Sequence, residues 1–345
     1  MNRVVSLALL VFLLTVAGLS GLWQQYQRFL QTPLGVETQG FILDVEPGTS
    51  VRSVVEKLEQ QGLTRMDWRW RLLNRMQQKT IKTGEFLIEP GLLPAQLLNL
   101  LASGKVMTYR FTIVEGWSVK QLIDALGKDP VLQQTLETIT ELENLPGLPG
   151  GNTEGWFLPE TYVFVRGDSD LQILKRAYKD MLEGLEKVWL GRDLGLPYET
   201  PYELLIMASL VEKETSLENE RADIAGVFVR RLLKRWRLET DPTVIYGMGE
   251  SYQGDIRRKD LKNDTPYNTY TRHGLPPTPI ALPGMASLQS AAHPAAGDSM
   301  FFVANGRGGH TFSSTLDAHN RAVNQLIKRR KHNLAEEGKK SNDGE

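Results

Sequence analysis

The sequence predicts an α+β protein behind a single N-terminal membrane-spanning helix. Three observations carry that reading. Val4–Trp23 (VVSLALLVFLLTVAGLSGLW) contains no charged side chain. From Phe41 onward, short strands run into glycine turns and then into amphipathic helices. From Pro201 onward, the chain becomes dense in Gly, Pro and polar-aromatic motifs. The 345 residues suggest two or three domains, and the 41% hydrophobic and 23% charged fractions exclude a disordered or collagen-like chain.

Val4–Trp23 is long enough to cross a hydrocarbon core of about 30 Å as a helix. Arg3 precedes it, and Trp23 and Tyr26 follow at the depth where aromatic residues collect. That asymmetry places the N-terminus inside and the rest of the chain outside, although Arg28 lies close on the far side. The competing reading is a cleavable signal peptide, whose apolar region would be about 7–15 residues, with a small-residue cleavage site after it. The stretch here is longer, and no clear A-x-A follows. Residues 24–40 read as a polar, aromatic-punctuated connector.

Beyond it, strands are expected over Phe41–Val45, Glu85–Ile88 and Thr108–Val114. Apolar residues at i, i+3 and i+4 place helices over Val51–Gln60, Met66–Met76, Pro94–Ala102, Val119–Leu126 and Leu171–Val188. The turns before three of them begin Glu46-Pro47-Gly48, Glu89-Pro90-Gly91 and Glu115-Gly116-Trp117. Their spacing is too unequal for a solenoid, so the units read as a small packed α+β module. Leu145–Thr153 (LPGLPGGNT) reads as a loop or linker, and 328–345 as a charged tail, solvated or disordered.

Composition removes several chemistries. Lys and Arg number 40 against 41 Asp and Glu, which gives no support for nucleic-acid binding. The absence of cysteine excludes disulfides, thiol nucleophiles and thiolate metal sites. His273, His293, His310, His319 and His332 show no metal-ligand spacing, so no metal or other cofactor is expected. No G-x-S-x-G nucleophile elbow occurs. Gly306–His310 (GRGGH) lacks the phosphate-loop pattern and reads as a glycine-rich β-turn before Thr311 and Phe312.

The most informative helix is expected over Glu203–Glu218 (ELLIMASLVEKETSLE), with Leu204, Met207, Ala208, Leu210 and Val211 defining a buried face. Glu212 and Glu214 then point about 200° apart and cannot serve one site together. Glu214 lies about 50° from the apolar centre, Glu212 about 105° and Lys213 about 150°. A carboxyl at the edge of an apolar face has its charged form disfavoured, which is what a general acid at neutral pH needs. The competing reading is a solvated helix with Lys/Glu pairs. Thr265–Gly274 (TPYNTYTRHG) carries Tyr267, Asn268 and Tyr270 in a Pro/Gly-rich loop; it suits stacking on and hydrogen bonding to sugars, or else a tightly packed turn.

MASLVEKET at 207–215, LETDPTVIYGMG at 238–249, TPYNTYTRHGLPP at 265–277, AAHP at 291–294 and FFVANGRGGHTFSSTLDAHN at 301–320 together resemble the bacterial endolytic murein transglycosylase (YceG-like) family, as does EGWFLPETY at 154–162. The resemblance runs from Phe41 to about Ile327. It implies a LysM-like glycan-binding α+β module at 41–107 and a mixed α+β catalytic domain at 108–327, behind a cytoplasmic 1–3 and a membrane helix at 4–23. It implies an enzyme of the bacterial inner membrane that cuts nascent peptidoglycan strands internally, leaving 1,6-anhydro-N-acetylmuramic acid ends. Peptidoglycan synthases become plausible partners. In that family the catalytic carboxylate is the second Glu of an S-x-x-E-x-E helix, which corresponds to Glu214. Glu212 is then the secondary catalytic candidate. Tyr267, Asn268 and Tyr270, with Glu160, His293 and His310, are the substrate-binding candidates. Thr240 and Asp241 are expected to order the local backbone or line the cleft. A non-catalytic glycan-binding scaffold, and a hydrolysing muramidase using Glu160 or Asp241 as a second carboxylate, are the alternatives.

Overall fold

The computed structural model describes residues 2–136, 142 and 152–342. The expected 145–153 loop lies outside the described residues except for Asn152 and Thr153. The chain is mixed α+β, rich in helices and sparing in strands, and divides into two compact units. One contains Met1–Tyr109 with Val163–Asp168; the other contains Arg110–Tyr162 with Ser169–Glu345.

In the first unit, α1 runs from Asn2 to Gln31 as one helix, long and apolar enough to cross a membrane. Its apolar side chains are exposed through Trp23. Its last two turns behave differently: Tyr26 and Phe29 are buried in the core of the unit. The expected connector is therefore helical as far as Gln31. Tyr26, Phe29 and Leu30 recur at helical spacing and give those turns an apolar face to bury. β1 (Phe41–Val45) pairs antiparallel with β2 (Gly84–Ile88), Phe41 opposite Ile88 and Val45 opposite Gly84. Leu43, Val45, Phe86 and Ile88 point inward against α2 (Val51–Gln60), α3 (Trp68–Gln77) and α4 (Pro94–Ser103). α3 starts at Trp68 rather than Met66 because the Asp67 carboxylate caps it, accepting the Arg69 N–H at 2.9 Å.

β3 (Tyr109–Thr112) and β4 (Thr161–Phe164) form a second two-stranded sheet. In the second unit, α5 (Val119–Leu126), α6 (Asp170–Gly191) and α7 (Pro201–Glu214) each begin with a capping box, led by Ser118, Ser169 and Thr200. Leu204 through Val211 of α7 are all buried, so this helix is covered on every side and not on one face alone. α8 (Glu218–Leu233), α9 (Asp241–Met248) and α10 (Met285–Ala292) pack around it. The helix expected through Glu218 stops at Glu214. Thr215 turns extended, and its hydroxyl accepts the Leu217 N–H at 3.0 Å, a local bond that competes with helix continuation.

The hairpin of β5 (Phe301–Ala304) and β6 (His310–Ser313) turns through the glycine-rich segment, with Ala304 opposite His310. α11 runs from Leu316 to Asn342, so the expected disordered tail is helical to that point. Its Leu, Ala, Glu and Lys residues are strong helix formers, and charge alone did not reveal this.

Gly155, beside Leu205 of α7, is under a double constraint. Its φ is +84°, and a Cβ there would lie 2.6 Å from Pro279. Gly155→Ala should cost roughly 2–4 kcal/mol, from the left-handed conformation plus the clash. Gly167→Ala, at φ +97° with open space around it, should cost only the conformational part. Denaturant unfolding of both variants checks this; equal losses would refute the packing argument.

Candidate active site

α7 delivers Glu214 as its last residue. The side chain keeps partial access to solvent, but its carboxyl is enclosed by protein. Burial pushes its pKa up to about 7, with the Asp241 charge adding to the rise. The Thr240 hydroxyl, His310 and Arg231 act in the opposite direction. Thr240 donates its hydroxyl directly to Glu214 Oε1.

Four elements hold these groups. Thr240 caps α9, and its backbone N–H donates to the Thr269 hydroxyl at 3.1 Å. Thr243 bonds the same hydroxyl at 2.9 Å, so three buried threonines lock this corner. Glu239, just before it, sits at φ +48°, a strained conformation held where the chain enters the site. Asp241 accepts the Tyr270 hydroxyl at 2.6 Å. Burial, then that bond, raises the Tyr270 pKa. Arg231 of α8 is buried and donates to the Met300 and Leu238 carbonyls at 2.8 and 2.6 Å. His310 of β6 reaches Glu220 of α8, Nδ1 to Oε2, at 2.7 Å, and its N–H donates to Glu220 Oε1 at 2.8 Å. Gly309 makes this approach feasible, because a Cβ there would stand 2.4 Å from Glu220 Oε1. The glycine-rich turn thus serves a carboxylate–imidazole contact.

Glu212 faces elsewhere. Its carboxylate accepts the Gly284 N–H at 3.0 Å and the Ser287 hydroxyl at 2.7 Å, and Arg221 stands at 4.0 Å. It satisfies the start of α10, whose N-cap Gly284 has no side chain to do so. The secondary catalytic candidate thus has its carboxylate engaged by three partners, away from Glu214.

The loop candidates divide. Tyr270 joins the Glu214 cluster through Asp241. Tyr267 lies edge-on to Tyr246 at 4.9 Å and bonds Thr278 at 2.9 Å. Asn268 is buried, donates to the Asp260, Leu261 and Asn263 carbonyls and accepts the Tyr270 N–H. Its amide is engaged in holding the loop. Glu160 is exposed and bonds the adjacent Thr161 N–H, while His293 pairs with Asp193 at 2.8 Å; neither joins the Glu214 cluster. Among the described residues, no group of three or more Asp, Glu or His is placed to hold a metal.

Sequence reasoning passed over Glu154. It is buried, accepts the Val119 N–H at 3.0 Å and the Tyr246 hydroxyl at 3.1 Å, and burial pushes its pKa up to about 7. It lines a cavity of about 790 Å³ with Ser118, Gln121, Lys213, Tyr246 and Tyr252. α9 contributes both to this cavity, through Pro242, Ile245 and Tyr246, and to the Glu214 cluster, through Asp241. The available signal was a lone acid leading the apolar run GWFLP.

The YceG-like family model matches residues 43–325. The endolytic murein transglycosylase of Bacillus subtilis (strain 168) is 26% identical over 324 residues, 88% of this chain and 89% of that protein. The endolytic murein transglycosylase of Streptococcus pneumoniae (strain R6) is 25% identical over 370 aligned positions, covering 94% of this chain. This chain spans 65% of that protein's length. A crystal structure of a yceG-like protein from Listeria monocytogenes is 28% identical, covers 83% of this chain and 99% of its own, and superposes with a TM-score of 0.49.

The buried carboxyl has a stability signature. Folded, Glu214 holds its proton up to about pH 7, whereas an unfolded Glu releases it near 4.5. Between those values the folded state binds more protons, so stability falls as pH rises through that window. Glu214→Gln keeps the shape and removes the ionisation. It should match the wild type near pH 4 and exceed it above pH 7, by up to roughly 3 kcal/mol. Urea unfolding at both pH values decides it; a pH-independent difference would contradict the burial argument.

Proposed function

The chain belongs to the YceG-like family, and from that premise we propose that it is a membrane-anchored peptidoglycan lytic transglycosylase with Glu214 as its catalytic residue. One observation supports this most: at the end of a buried helix, the enclosed Glu214 carboxyl, on a side chain that keeps partial access to solvent, has its pKa raised to about 7. The names of its relatives point to the same chemistry.

A lytic transglycosylase needs one carboxyl, used twice. Protonated Glu214 donates to the glycosidic oxygen between N-acetylmuramic acid and N-acetylglucosamine as the C1–O bond breaks. Positive charge develops at muramic acid C1, as in other glycoside cleavages. The carboxylate then takes the proton from that sugar's own C6 hydroxyl, whose oxygen closes on C1. The product is a 1,6-anhydro end, Glu214 is protonated again, and no water is consumed. The Thr240 hydroxyl orients one carboxyl oxygen and leaves the other to carry the proton. Tyr267 and Tyr270 are placed to hold sugars, Asn268 acts by shaping their loop, and His310 steadies charge at the site. A hydrolysing muramidase would need a second free carboxylate. Asp241, which acts electrostatically on Glu214, is already engaged by the Tyr270 hydroxyl.

In this reading α1 is a single-pass anchor in the inner membrane, with the N-terminus cytoplasmic and the catalytic part outside. Residues 41–107 are a LysM-like glycan-holding module. Cleavage within nascent strands ends their elongation, and a peptidoglycan synthase is the partner that presents them.

Three outcomes test the proposal. The full chain on purified peptidoglycan should release fragments about 18 Da lighter than hydrolysis gives, the mass of one water. Glu214→Gln should lower that activity by at least about a thousandfold, the order expected when a general acid/base is lost. Fragments of hydrolytic mass, or an active Glu214→Gln, would sink the assignment. Because Glu214 must start protonated, wild-type kcat/KM should fall as pH rises through about 7. Thr240→Val removes a bond that favours the ionised form, so it should move that fall to higher pH, and Thr240→Ser should restore it.

A further inference from the structure

The first unit concentrates its positive charge in one place. Residues 64–82 (TRMDWRWRLLNRMQQKTIK) hold six cations and one acid. The rest of 24–109 holds four cations, Arg28, Arg52, Lys57 and Lys105, against seven acids. The one acid in the basic segment, Asp67, is paired with Arg69. Arg71, Arg75, Lys79 and Lys82 are exposed, and among the described residues no carboxylate pairs with them.

This segment is packed against the end of the membrane helix. The Tyr26 ring lies 6.4 Å from that of Trp68, and its hydroxyl reaches Met76 Sδ at 3.5 Å. Phe29 meets Trp70 edge-on at 5.2 Å. Trp68 and Met76, near opposite ends of α3, both reach Tyr26, so α3 is held along its length against this turn of α1. Tyr26 follows Trp23 by three residues, about 4.5 Å of helix rise. The headgroup layer of one leaflet is about 5–7 Å deep. α3 therefore lies at headgroup level when Val4–Trp23 spans the hydrocarbon core. On its exposed arc, Trp68 suits that depth and Arg71 and Arg75 supply charge. A cavity of about 280 Å³ between α2 and α3, floored by Val55 and Trp70, opens between Arg71, Arg75 and Arg52, the last already paired with Glu56.

We propose that α3 and its flanks form a binding surface for anionic phospholipid headgroups, which seats the first unit flat on the bilayer. It rests on the reading of α1 as a membrane span. The cations begin more than forty residues after that span and fall outside the window that sets insertion orientation. Charge complementarity selects the occupant: arginines bond phosphate oxygens in pairs, and each cation near an anionic surface adds about fivefold in affinity.

The test uses the full chain in nanodiscs of phosphatidylcholine and phosphatidylglycerol at about 3:1, released by mild detergent, with the retained lipids quantified by mass spectrometry. The wild type should retain phosphatidylglycerol at least about fivefold above the disc ratio, and the enrichment should collapse at about 0.5 M salt. The triple variant Arg71→Gln/Arg75→Gln/Lys79→Gln, altered only at exposed positions, should return to the disc ratio with unchanged thermal unfolding. Retention at the disc ratio by the wild type, or enrichment that survives salt or the triple variant, overturns the proposal. Failure of the chain to enter discs overturns the anchor reading instead, and the proposal with it.

Discussion

The second unit depends on enclosing one carboxyl at the end of a helix that is buried on every side. A helix with Leu204 through Val211 all covered must be surrounded by other elements, and α8, α9 and α10 supply that cover. The residue at its last turn is then delivered into protein and not into water. Glu214 arrives there because Thr215 ends the helix, and the neighbours that meet it come from the surrounding elements: Thr240 and Asp241 from α9, Arg231 from α8, His310 from β6. The site is thus a consequence of how α7 is packed.

The two glutamates near the end of α7 show how the same side chain is put to opposite uses. Glu212 is saturated: an N–H, a hydroxyl and an arginine surround it, and its charge completes the start of α10. Among the described residues Glu214 has one hydrogen-bond donor, Thr240, and its charged form is penalised. A saturated buried carboxylate holds a structure together; an under-satisfied one keeps a proton available. Helical geometry separates the two, because residues two apart on a helix cannot share partners.

Much of this was legible in the sequence because local signals were strong. Val51–Gln60 and Val119–Leu126 have the bounds that their apolar periodicity and their Ser caps mark. The angular position of Glu214 beside the apolar stripe pointed to a desolvated carboxyl. Other features were hidden because they depend on distant partners. Tyr26 and Phe29 looked like connector residues until Trp68 and Trp70 supplied something to pack on. The part Asn268 plays in holding its loop was hidden because the three carbonyls that take its amide are set by loop geometry alone. The Glu220–His310 contact joins residues 90 positions apart, and a helix that ends in Thr-Ser-Leu reads, by periodicity, as one that continues to Glu218.

In the proposed reaction, a pKa near 7 is also the value that a carboxyl serving twice requires. An ordinary glutamate near 4.5 would be ionised at neutral pH and could not open the reaction by donating a proton. One raised far higher would donate poorly as an acid and, once ionised, would be too costly to hold buried while it waits for the C6 hydroxyl. Midway, both forms are populated at working pH, and neither half of the cycle faces a large proton-transfer deficit. Enclosure alone would overshoot this point. The Thr240 hydroxyl, His310 and Arg231 pull the value back, against the push from Asp241. The mixed company around Glu214, an arginine, a histidine, an aspartate and a hydroxyl, is what balances a carboxyl between acid and base, and an all-apolar pocket or a full ion pair would each settle it on one side.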